Sequence, residues 1–223
     1  MLETYLKLRM WLIHIRRSCP YSRHFYTMGE KTEVYFLDEK NIAFVLEKVS
    51  ASLNRGGICV IPTDTIYGIV AADCFTESVF RIYKIKKRSE DKPFIRLIGS
   101  LDNLAFYTAR LLPKKLMAYW PGPLTVIFPG VRSETVSIRF PDDPFLNGLF
   151  CMLDHKALVA PSANISGEEN IYESDRLIET FSGKVSTIVC LKKGLQKKRA
   201  STIIDISAGP VKLIREGDLT LDL

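Results

Sequence analysis

The side chains best suited to chemistry follow an apolar run. The segment Pro62-Thr63-Asp64-Thr65-Ile66-Tyr67-Gly68 comes directly after Ile58-Cys59-Val60-Ile61, and that run predicts a buried strand. Pro62 cannot donate a hydrogen bond to a sheet, so we expect the strand to end there. Two hydroxyls and a carboxylate at the end of a rigid strand can hold donors and acceptors over a ligand, or can form a turn through local hydrogen bonds.

Small polar groups also mark two other predicted strands. Ser162 and Asn164 follow the predicted strand 158–161, and Ser201 opens the predicted strand 202–206. Polar residues at the ends of strands can converge on one crevice in an open sheet. A helix-capping turn is the simpler interpretation of Ser162 and Asn164.

Cationic residues are spread along the same chain: Lys86, Arg88, Lys92, Arg139 and Arg215. Fixed cations beside small hydroxyls suit a polyanion bound with a small polar substrate. Phosphoryl or nucleotidyl transfer uses such a crevice, because it depends on positioning and charge neutralisation more than on a covalent residue. The simpler interpretation is a solvated helix end for the lysines and surface ion pairs for the arginines.

Other kinds of site are disfavoured. The chain has no Walker sequence, no G-x-G-x-x-G and no H-E-x-x-H. His155 is the only histidine after residue 28, so covalent catalysis with a histidine base has little support. The five cysteines are far apart, without a C-x-x-C pair, which disfavours a disulfide framework or a zinc site and favours a reducing compartment.

Helical and strand patterns alternate along the chain, and this predicts an α/β open twisted sheet flanked by helices. The first helix is expected to begin with Asp38 as its N-cap and to stop at Gly56. The further predicted helices are 76–84, 102–111, 113–120, 143–153 and 174–181. The predicted strands are 34–37, 58–61, 94–98, 126–128, 136–140, 158–161, 185–191, 202–206 and 211–215.

The 223 residues, 47% of them hydrophobic, suit one domain, which we place at 29–223. Residues 1–28 differ, with five basic residues against one acid. They fit a mis-called start, an arm that packs on the domain, or a mitochondrial presequence. No run of 18 uncharged apolar residues predicts a membrane span. We therefore expect a cytoplasmic protein, or a mitochondrial one if the presequence interpretation holds.

In their order along the chain, these segments resemble the YrdC-like threonylcarbamoyl-AMP synthases, from about residue 41 to residue 217. The matching segments are Pro62-Thr63-Asp64-Thr65-x-Tyr67-Gly68, Lys86-x-Arg88 with Lys92-Pro93, Trp120-Pro-Gly-Pro-Leu-Thr125, Ser137-Ile138-Arg139-Phe140-Pro141, Pro161-Ser162-Ala163-Asn164-x-Ser166-Gly167, Ser201-Thr202-Ile203-Ile204-Asp205 and Ile214-Arg215-Glu216-Gly217. Each segment alone is weak, but seven in family order are highly specific.

The resemblance implies a twisted mixed sheet with a large concave basic cleft. It also implies the reaction of L-threonine, bicarbonate or CO2, and ATP to give threonylcarbamoyl-AMP and pyrophosphate, with Mg²⁺ accompanying the ATP. The product is used to form threonylcarbamoyladenosine in tRNA, and other proteins carry out the transfer. Direct binding of tRNA is compatible with such a cleft.

The same resemblance implies roles for individual residues. The threonine site would contain Thr65, Arg139, Ser162 and Ser201. The ATP site would contain Lys86, Arg88, Lys92, Thr135, Asn164 and Arg215. Lys86 and Arg88 would neutralise the triphosphate during catalysis, so we expect their replacement by alanine to weaken ATP use without unfolding the domain. No metal ligand from the protein is expected.

The chain departs from the family pattern at several points. Leu97 stands where many members have a histidine, and Ile171-Tyr172-Glu173 replaces a Ser-Pro-Thr segment. Ser89 replaces a proline, and Asp142 or Asp143 replaces a further histidine. Two alternative functions stay open: an RNA-binding relative without synthase activity, and carbamoyl-adenylate chemistry on another acceptor, as in related carbamoyltransferase domains of much longer chains.

Overall fold

The computed structural model describes residues 31–131 and 134–222. Its strands are β1 Glu33–Leu37, β2 Cys59–Ile61, β3 Gly68–Ala72, β4 Arg96–Ile98, β5 Leu124–Pro129, β6 Thr135–Arg139, β7 Ala157–Val159, β8 Thr187–Leu191, β9 Thr202–Asp205 and β10 Lys212–Arg215. Its α-helices are α1 Ile42–Asn54, α2 Thr76–Lys86, α3 Lys114–Met117, α4 Pro144–Cys151 and α5 Ser174–Phe181. A 3-10 helix covers Leu101–Phe106. The arm 1–28 lies outside the described residues.

The strands form one mixed sheet in the order β1-β8-β2-β3-β7-β4-β6-β5-β9-β10. The β1–β8, β2–β8, β4–β6 and β5–β9 pairs are parallel, and the remaining neighbours are antiparallel. Because the neighbouring strands β3 and β7 run in opposite directions, the start of β3 and the end of β7 lie at the same end of this strand pair. The predicted α/β sheet flanked by helices is confirmed.

Apolar layers hold the helices against the sheet. On one face, Val45 and Val49 of α1 and Leu146 of α4 pack with strand residues such as Leu158. On the other face, Ile82 of α2 belongs to a cluster with Leu177 and Phe181 of α5 and with the strand residues Ile69, Val159 and Ile188. Each such side chain stabilises the fold by about 1.5–3 kcal/mol through burial, so α2 and α5 are fixed firmly on the sheet.

The two sides of β6 are covered to different extents. Val136 and Ile138 are buried in a third apolar cluster. The alternating residues Thr135, Ser137 and Arg139 therefore point to the opposite face. On that face Thr135 is exposed and Ser137 is only half-buried, while Ile138 on the other face has no exposure. We call the side of β6 that carries Thr135, Ser137 and the buried Arg139 the open face.

Several element predictions were wrong. The strand β3 was missed, because all five of its residues are buried and it shows no apolar–polar alternation. The predicted helix 102–111 is a 3-10 helix at Leu101–Phe106 without any buried residue, so no apolar face supports a longer helix. The predicted helix 113–120 shortens to Lys114–Met117.

Asp38 does not cap the first helix. Its carboxylate accepts hydrogen bonds from the backbone N–H groups of Lys40 and Asn41, at 2.9 and 3.1 Å, and so forms a turn before the helix. Asn41 occupies the N-cap position, with no side-chain capping bond. The predicted stop at Gly56 is confirmed, since Gly56 has φ +80° directly after the last turn.

The helix α2 extends two residues beyond its predicted end and closes with a lysine in the left-handed region. Lys87 has φ 50°. The N–H of Lys87 donates to Lys84 O at 3.1 Å, and the N–H of Arg88 donates to Tyr83 O at 3.0 Å. These two bonds form a Schellman motif, in which glycine is the usual left-handed residue. The turn directs the chain away from α2 after Lys86.

We expect Lys87→Gly to raise the free energy of unfolding by about 0.5–1 kcal/mol, because glycine adopts positive φ without a Cβ clash. Urea denaturation would measure this change. Lys84→Gly, at an exposed position one turn earlier in the same helix, is expected to lower the same free energy by about 1 kcal/mol. Equal losses in the two variants would show that the left-handed turn carries no strain.

Candidate active site

The segment 62–67 joins β2 to β3 and is held by its own hydroxyls. Thr63 Oγ1 donates to Ile66 O at 2.7 Å and accepts from the N–H of Thr65 at 3.2 Å. The hydroxyls of Thr63 and Thr65 lie 3.1 Å apart. The local turn expected from the sequence is therefore present, and it fixes the position of Thr65. We call residues 62–67 the motif loop.

Arg139 reaches from the end of β6 to the motif loop. Its NH1 donates to Thr65 Oγ1 at 2.8 Å, and its NH2 lies 3.2 Å from Asp64 Oδ1. Arg139 is only 6% exposed. Burial lowers the pKa of Arg139, and the carboxylates of Asp64 and Asp143 oppose that shift. Arg139 thus holds a buried positive charge at the motif loop.

Some polar atoms at this point have no hydrogen-bond partner among the described residues. They are Arg139 Nε and both carboxylate oxygens of Asp64. The contact between Arg139 and Asp64 is short enough for charge pairing but lacks hydrogen-bond alignment. Buried polar atoms without partners are costly, so this pair is suited to a ligand that supplies an acceptor to Arg139.

A second cluster lies on β5, β9 and β10. Arg215 donates from Nε and NH2 to Ser201 O at 3.1 and 2.8 Å, and from NH2 to Ser201 Oγ at 3.2 Å. Ser201 Oγ lies 2.8 Å from Thr125 Oγ1, and Thr125 pairs directly with Arg139 across β5 and β6. Burial, with a smaller effect of Arg139, lowers the pKa of Arg215. Arg139, Thr125, Ser201 and Arg215 therefore form one connected group.

Lys86 is buried rather than solvated. Its ammonium donates to Ser162 O, to Asn164 O at 2.6 Å and to Asn164 Oδ1 at 3.1 Å, and the residue is 1% exposed. Burial, with a smaller effect of Arg88, lowers the pKa of Lys86 to about 8. The ammonium form still predominates at neutral pH, and its three N–H donors match three oxygen acceptors.

The segment 161–164 connects this lysine to the motif loop. Ser162 pairs with Gly68 in an isolated β-bridge, and the N–H of Ala163 donates to Tyr67 O at 2.8 Å. Ser162 Oγ donates to Asn164 Oδ1 at 2.6 Å. The end of α2 is thereby tied, through Lys86, to the same loop that carries Thr65.

The structure joins seven of the ten predicted site residues in one contact network: Thr65, Lys86, Arg139, Ser162, Asn164, Ser201 and Arg215. The other three are Arg88, Lys92 and Thr135. Arg88 donates to Lys92 O at 3.1 Å and to Pro93 O at 3.4 Å, and the Lys92 side chain is exposed. Thr135 lies on the open face with Arg139, but at the opposite end of β6, about 13 Å from Arg139.

Sequence reasoning missed two participants. Thr125 was quoted as the last residue of a family segment, but it received no role; its pairing with Arg139 depends on the register of two strands. Lys198, whose Nζ donates to Asp64 O at 3.2 Å, lies in a loop with no recognisable motif. The clustering of basic residues at 192–199 was the available signal for Lys198.

The fold and the network together define an α/β protein with cations and small hydroxyls gathered around one loop of a mixed sheet. The family model Sua5_yciO_yrdC, described as telomere recombination, matches residues 51–217. The chain belongs to this family. The predicted family membership is therefore confirmed, while the predicted basic cleft and the roles of the individual residues stay predictions.

Named relatives agree with this membership. A Methanocaldococcus jannaschii protein, which carries the provisional name of a threonylcarbamoyl-AMP synthase, is 32% identical over 85% of this chain and 95% of its own length. The threonylcarbamoyl-AMP synthase of Pyrococcus abyssi is 32% identical over 76% of this chain, and that of Bacillus subtilis 31% over 65%. The chain spans 53% and 45% of the latter two, about half of each.

Solved structures show the same fold. Sua5 of P. abyssi with the substitutions H234A and Y235A aligns with a TM-score of 0.76 at 28% identity, covering 84% of this chain and 58% of that one. P. abyssi Sua5 complexed with L-threonine gives a TM-score of 0.70 at 28% identity, covering 85% of this chain and 57% of that one. Escherichia coli YciO, at 19% identity and a TM-score of 0.70, supports the fold alone.

None of the described helices has both the length and the apolar character needed to cross a lipid bilayer. Within residues 31–131 and 134–222, no group of three or more His, Cys, Asp or Glu side chains is placed to hold a metal ion.

Proposed function

We propose that this chain is a threonylcarbamoyl-AMP synthase. It joins L-threonine, bicarbonate or CO2, and ATP to form threonylcarbamoyl-AMP and pyrophosphate, for threonylcarbamoyladenosine formation in tRNA. Relatives bear the name of this activity, and a family structure contains L-threonine. The observation that carries the proposal is Arg139, a buried arginine fixed at the motif loop, whose Nε has no acceptor among the described residues.

The Nε donor of Arg139 suits the carboxylate of threonine. Arginine binds carboxylates through charge-assisted hydrogen bonds. A buried guanidinium already held by Thr65 loses little further conformational entropy when it binds one. Ser162 and Ser201 flank the same network and can receive the polar groups of the amino acid. Thr65 positions both Arg139 and the substrate.

The open face and its border suit ATP. Thr135 lies about 13 Å from Arg139 on the same face, so a ligand that contacts both must be extended, as a nucleotide is. Arg88, Lys92, Asn164 and Arg215 complete the proposed ATP site. Lys86 has a different part in this proposal: its contacts make it a positioning residue for Ser162 and Asn164 rather than a phosphate ligand.

The proposed reaction needs no covalent enzyme intermediate. The neutral amine of threonine attacks CO2 and loses a proton, which gives a carbamate. A carbamate oxygen then attacks the α-phosphorus of ATP, and the bond to the β-phosphate oxygen breaks to release pyrophosphate. The protein lowers the barrier by orienting the reactants and by stabilising the charge that develops on the phosphates.

Mg²⁺ fits this proposal as a companion of ATP. It commonly binds substrate phosphates with only one or two carboxylates, and the described residues offer no larger cluster of ligands. When bound, it would neutralise part of the triphosphate charge.

Pyrophosphate release is the direct test of the proposed function. The full chain, incubated with ATP, Mg²⁺, bicarbonate and L-threonine, is expected to release pyrophosphate only when threonine is present. (R)-3-hydroxybutyrate, which keeps the carboxylate and the side-chain hydroxyl of threonine but lacks the amine, provides a negative control because it cannot form the carbamate. Release at the same rate without threonine would contradict the proposal.

Direct tRNA binding, delivery of the product to downstream transfer proteins, and residence in the cytoplasm or mitochondria remain predictions of the same proposal. A synthase delivers its product to other proteins, so binding of tRNA is not needed for turnover. Strong tRNA binding by a chain that does not bind ATP would favour the alternative of an RNA-binding relative.

A further inference from the structure

The connection between β8 and β9 is strongly basic. Residues 192–200, which we call the basic strap, contain five cations and no acid: Lys192, Lys193, Lys197, Lys198 and Arg199. All five side chains are exposed. Lys192 pairs with Asp38 at the β1 end of the sheet, so the two halves of the strap have different surroundings.

The second half of the strap lies against the proposed active site. Lys198 Nζ donates to Asp64 O of the motif loop at 3.2 Å, and Lys198 O accepts from Tyr172 OH at 2.9 Å. Arg199 donates from NH1 to Gly217 O at 3.4 Å, and its backbone N–H donates to Asp218 Oδ2 at 3.0 Å. The strap then enters β9 through Ser201. These contacts hold Lys198 beside the motif loop.

Some of the predicted phosphate-binding cations already donate hydrogen bonds within the protein. The ammonium of Lys86 is saturated by three oxygens, and Arg215 donates three times to Ser201. Arg88 donates to two backbone carbonyls. A triphosphate carries several negative charges, and exposed lysines with a rotatable ammonium group can add to the cations of the proposed ATP site.

Lys197 and Lys198 have different neighbours. The positive charge of Lys197 contributes to the lowered pKa of Glu173, after the larger effect of backbone hydrogen bonds. Lys198 contacts a backbone carbonyl, an interaction that a phosphate oxygen can replace with a stronger, charge-assisted hydrogen bond.

We infer that Lys198, together with the adjacent exposed Lys197, binds the β- and γ-phosphates of ATP, and so holds the pyrophosphate as it leaves. This inference rests on the proposed function, because it assigns the strap to the nucleotide of that reaction. It predicts that the strap distinguishes ATP from AMP, which lacks the phosphates that the two lysines contact.

Nucleotide binding to the full chain tests the inference without turnover. In Lys197→Gln/Lys198→Gln, calorimetry is expected to show ATP affinity reduced about tenfold, because two charge-assisted contacts are lost. Affinity for AMP should change by less than about twofold. The matched variant Lys192→Gln/Lys193→Gln removes the same charge from the first half of the strap and should bind ATP as the unmodified chain does.

Several results would overturn the inference. They are unchanged ATP affinity, equal losses for ATP and AMP, and equal losses in the two double variants, the last of which would reveal a general charge effect. Reduced tRNA affinity with normal ATP affinity would assign the strap to RNA instead. Failure of the proposed function is distinguishable, since the unmodified chain would then release no threonine-dependent pyrophosphate, whatever its ATP affinity.

Discussion

Replacing Lys86 with methionine is expected to lower the free energy of unfolding by about 2–4 kcal/mol, because three buried oxygens lose their donor. Methionine fills a similar linear volume but donates no hydrogen bond to Ser162 O, Asn164 O or Asn164 Oδ1. The segment 161–164 should then shift relative to the motif loop. A displacement of about 1 Å at a reactive site can reduce turnover by about 100-fold.

Two measurements separate this role from phosphate binding. Urea denaturation reports the stability of the variant, and calorimetry well below the unfolding transition reports its ATP affinity. Lys84→Met changes an exposed lysine in the same helix and should alter the free energy of unfolding by less than about 0.5 kcal/mol. If Lys86→Met keeps normal stability and loses ATP binding, Lys86 contacts the triphosphate directly, as the sequence predicted.

The sequence suggested that Lys86 binds phosphate, whereas its contacts suggest that it positions Ser162 and Asn164. This difference illustrates what the sequence could not provide. The sequence showed a lysine near the end of a helix beside Arg88, which suggested two cations for a triphosphate. The decisive contacts lie with Ser162 and Asn164, residues 76 and 78 positions further along the chain. Burial of this ammonium group depends on how the end of α2 packs against the segment after β7. A local sequence pattern does not predict that packing.

The elements were predictable where the local pattern matched the final packing. The helix 174–181 was predicted with its observed boundaries, because its apolar residues recur at helical spacing and face one side of the sheet. The strand β3 was missed because both of its faces are covered, which removes the alternation that identifies a half-buried strand. Periodicity therefore predicts amphipathic elements better than fully buried ones.

The site was predictable as a set of segments but not as a geometry. Segment order identified Thr65 and Arg139 as members of one site, and the structure places a 2.8 Å hydrogen bond between them across 74 residues. No local pattern indicated that Thr125 would connect Arg139 to Ser201. That connection follows from the antiparallel register of β5 and β6, in which Thr125 and Arg139 are partners.

Arg139→Lys is expected to raise the KM for threonine by about 30- to 100-fold with little change in the KM for ATP. Lysine keeps the positive charge beside Asp64, but it cannot bond Thr65 and a carboxylate at once with the geometry of a guanidinium. Arg139→Gln should also lower the free energy of unfolding by about 3 kcal/mol, because it leaves the buried carboxylate of Asp64 without a counter-charge.

Steady-state kinetics, with threonine and ATP varied in turn, would measure the two KM values separately. The chain also offers a matched control. Arg96 of β4 lies 3.2 Å from Asp73, a comparable arginine–aspartate pair in the same sheet but outside the proposed site. Arg96→Lys should leave the KM for threonine unchanged. If Arg139→Lys binds threonine normally, or if Arg96→Lys impairs threonine binding equally, the carboxylate is held elsewhere and Arg139 serves only to neutralise Asp64.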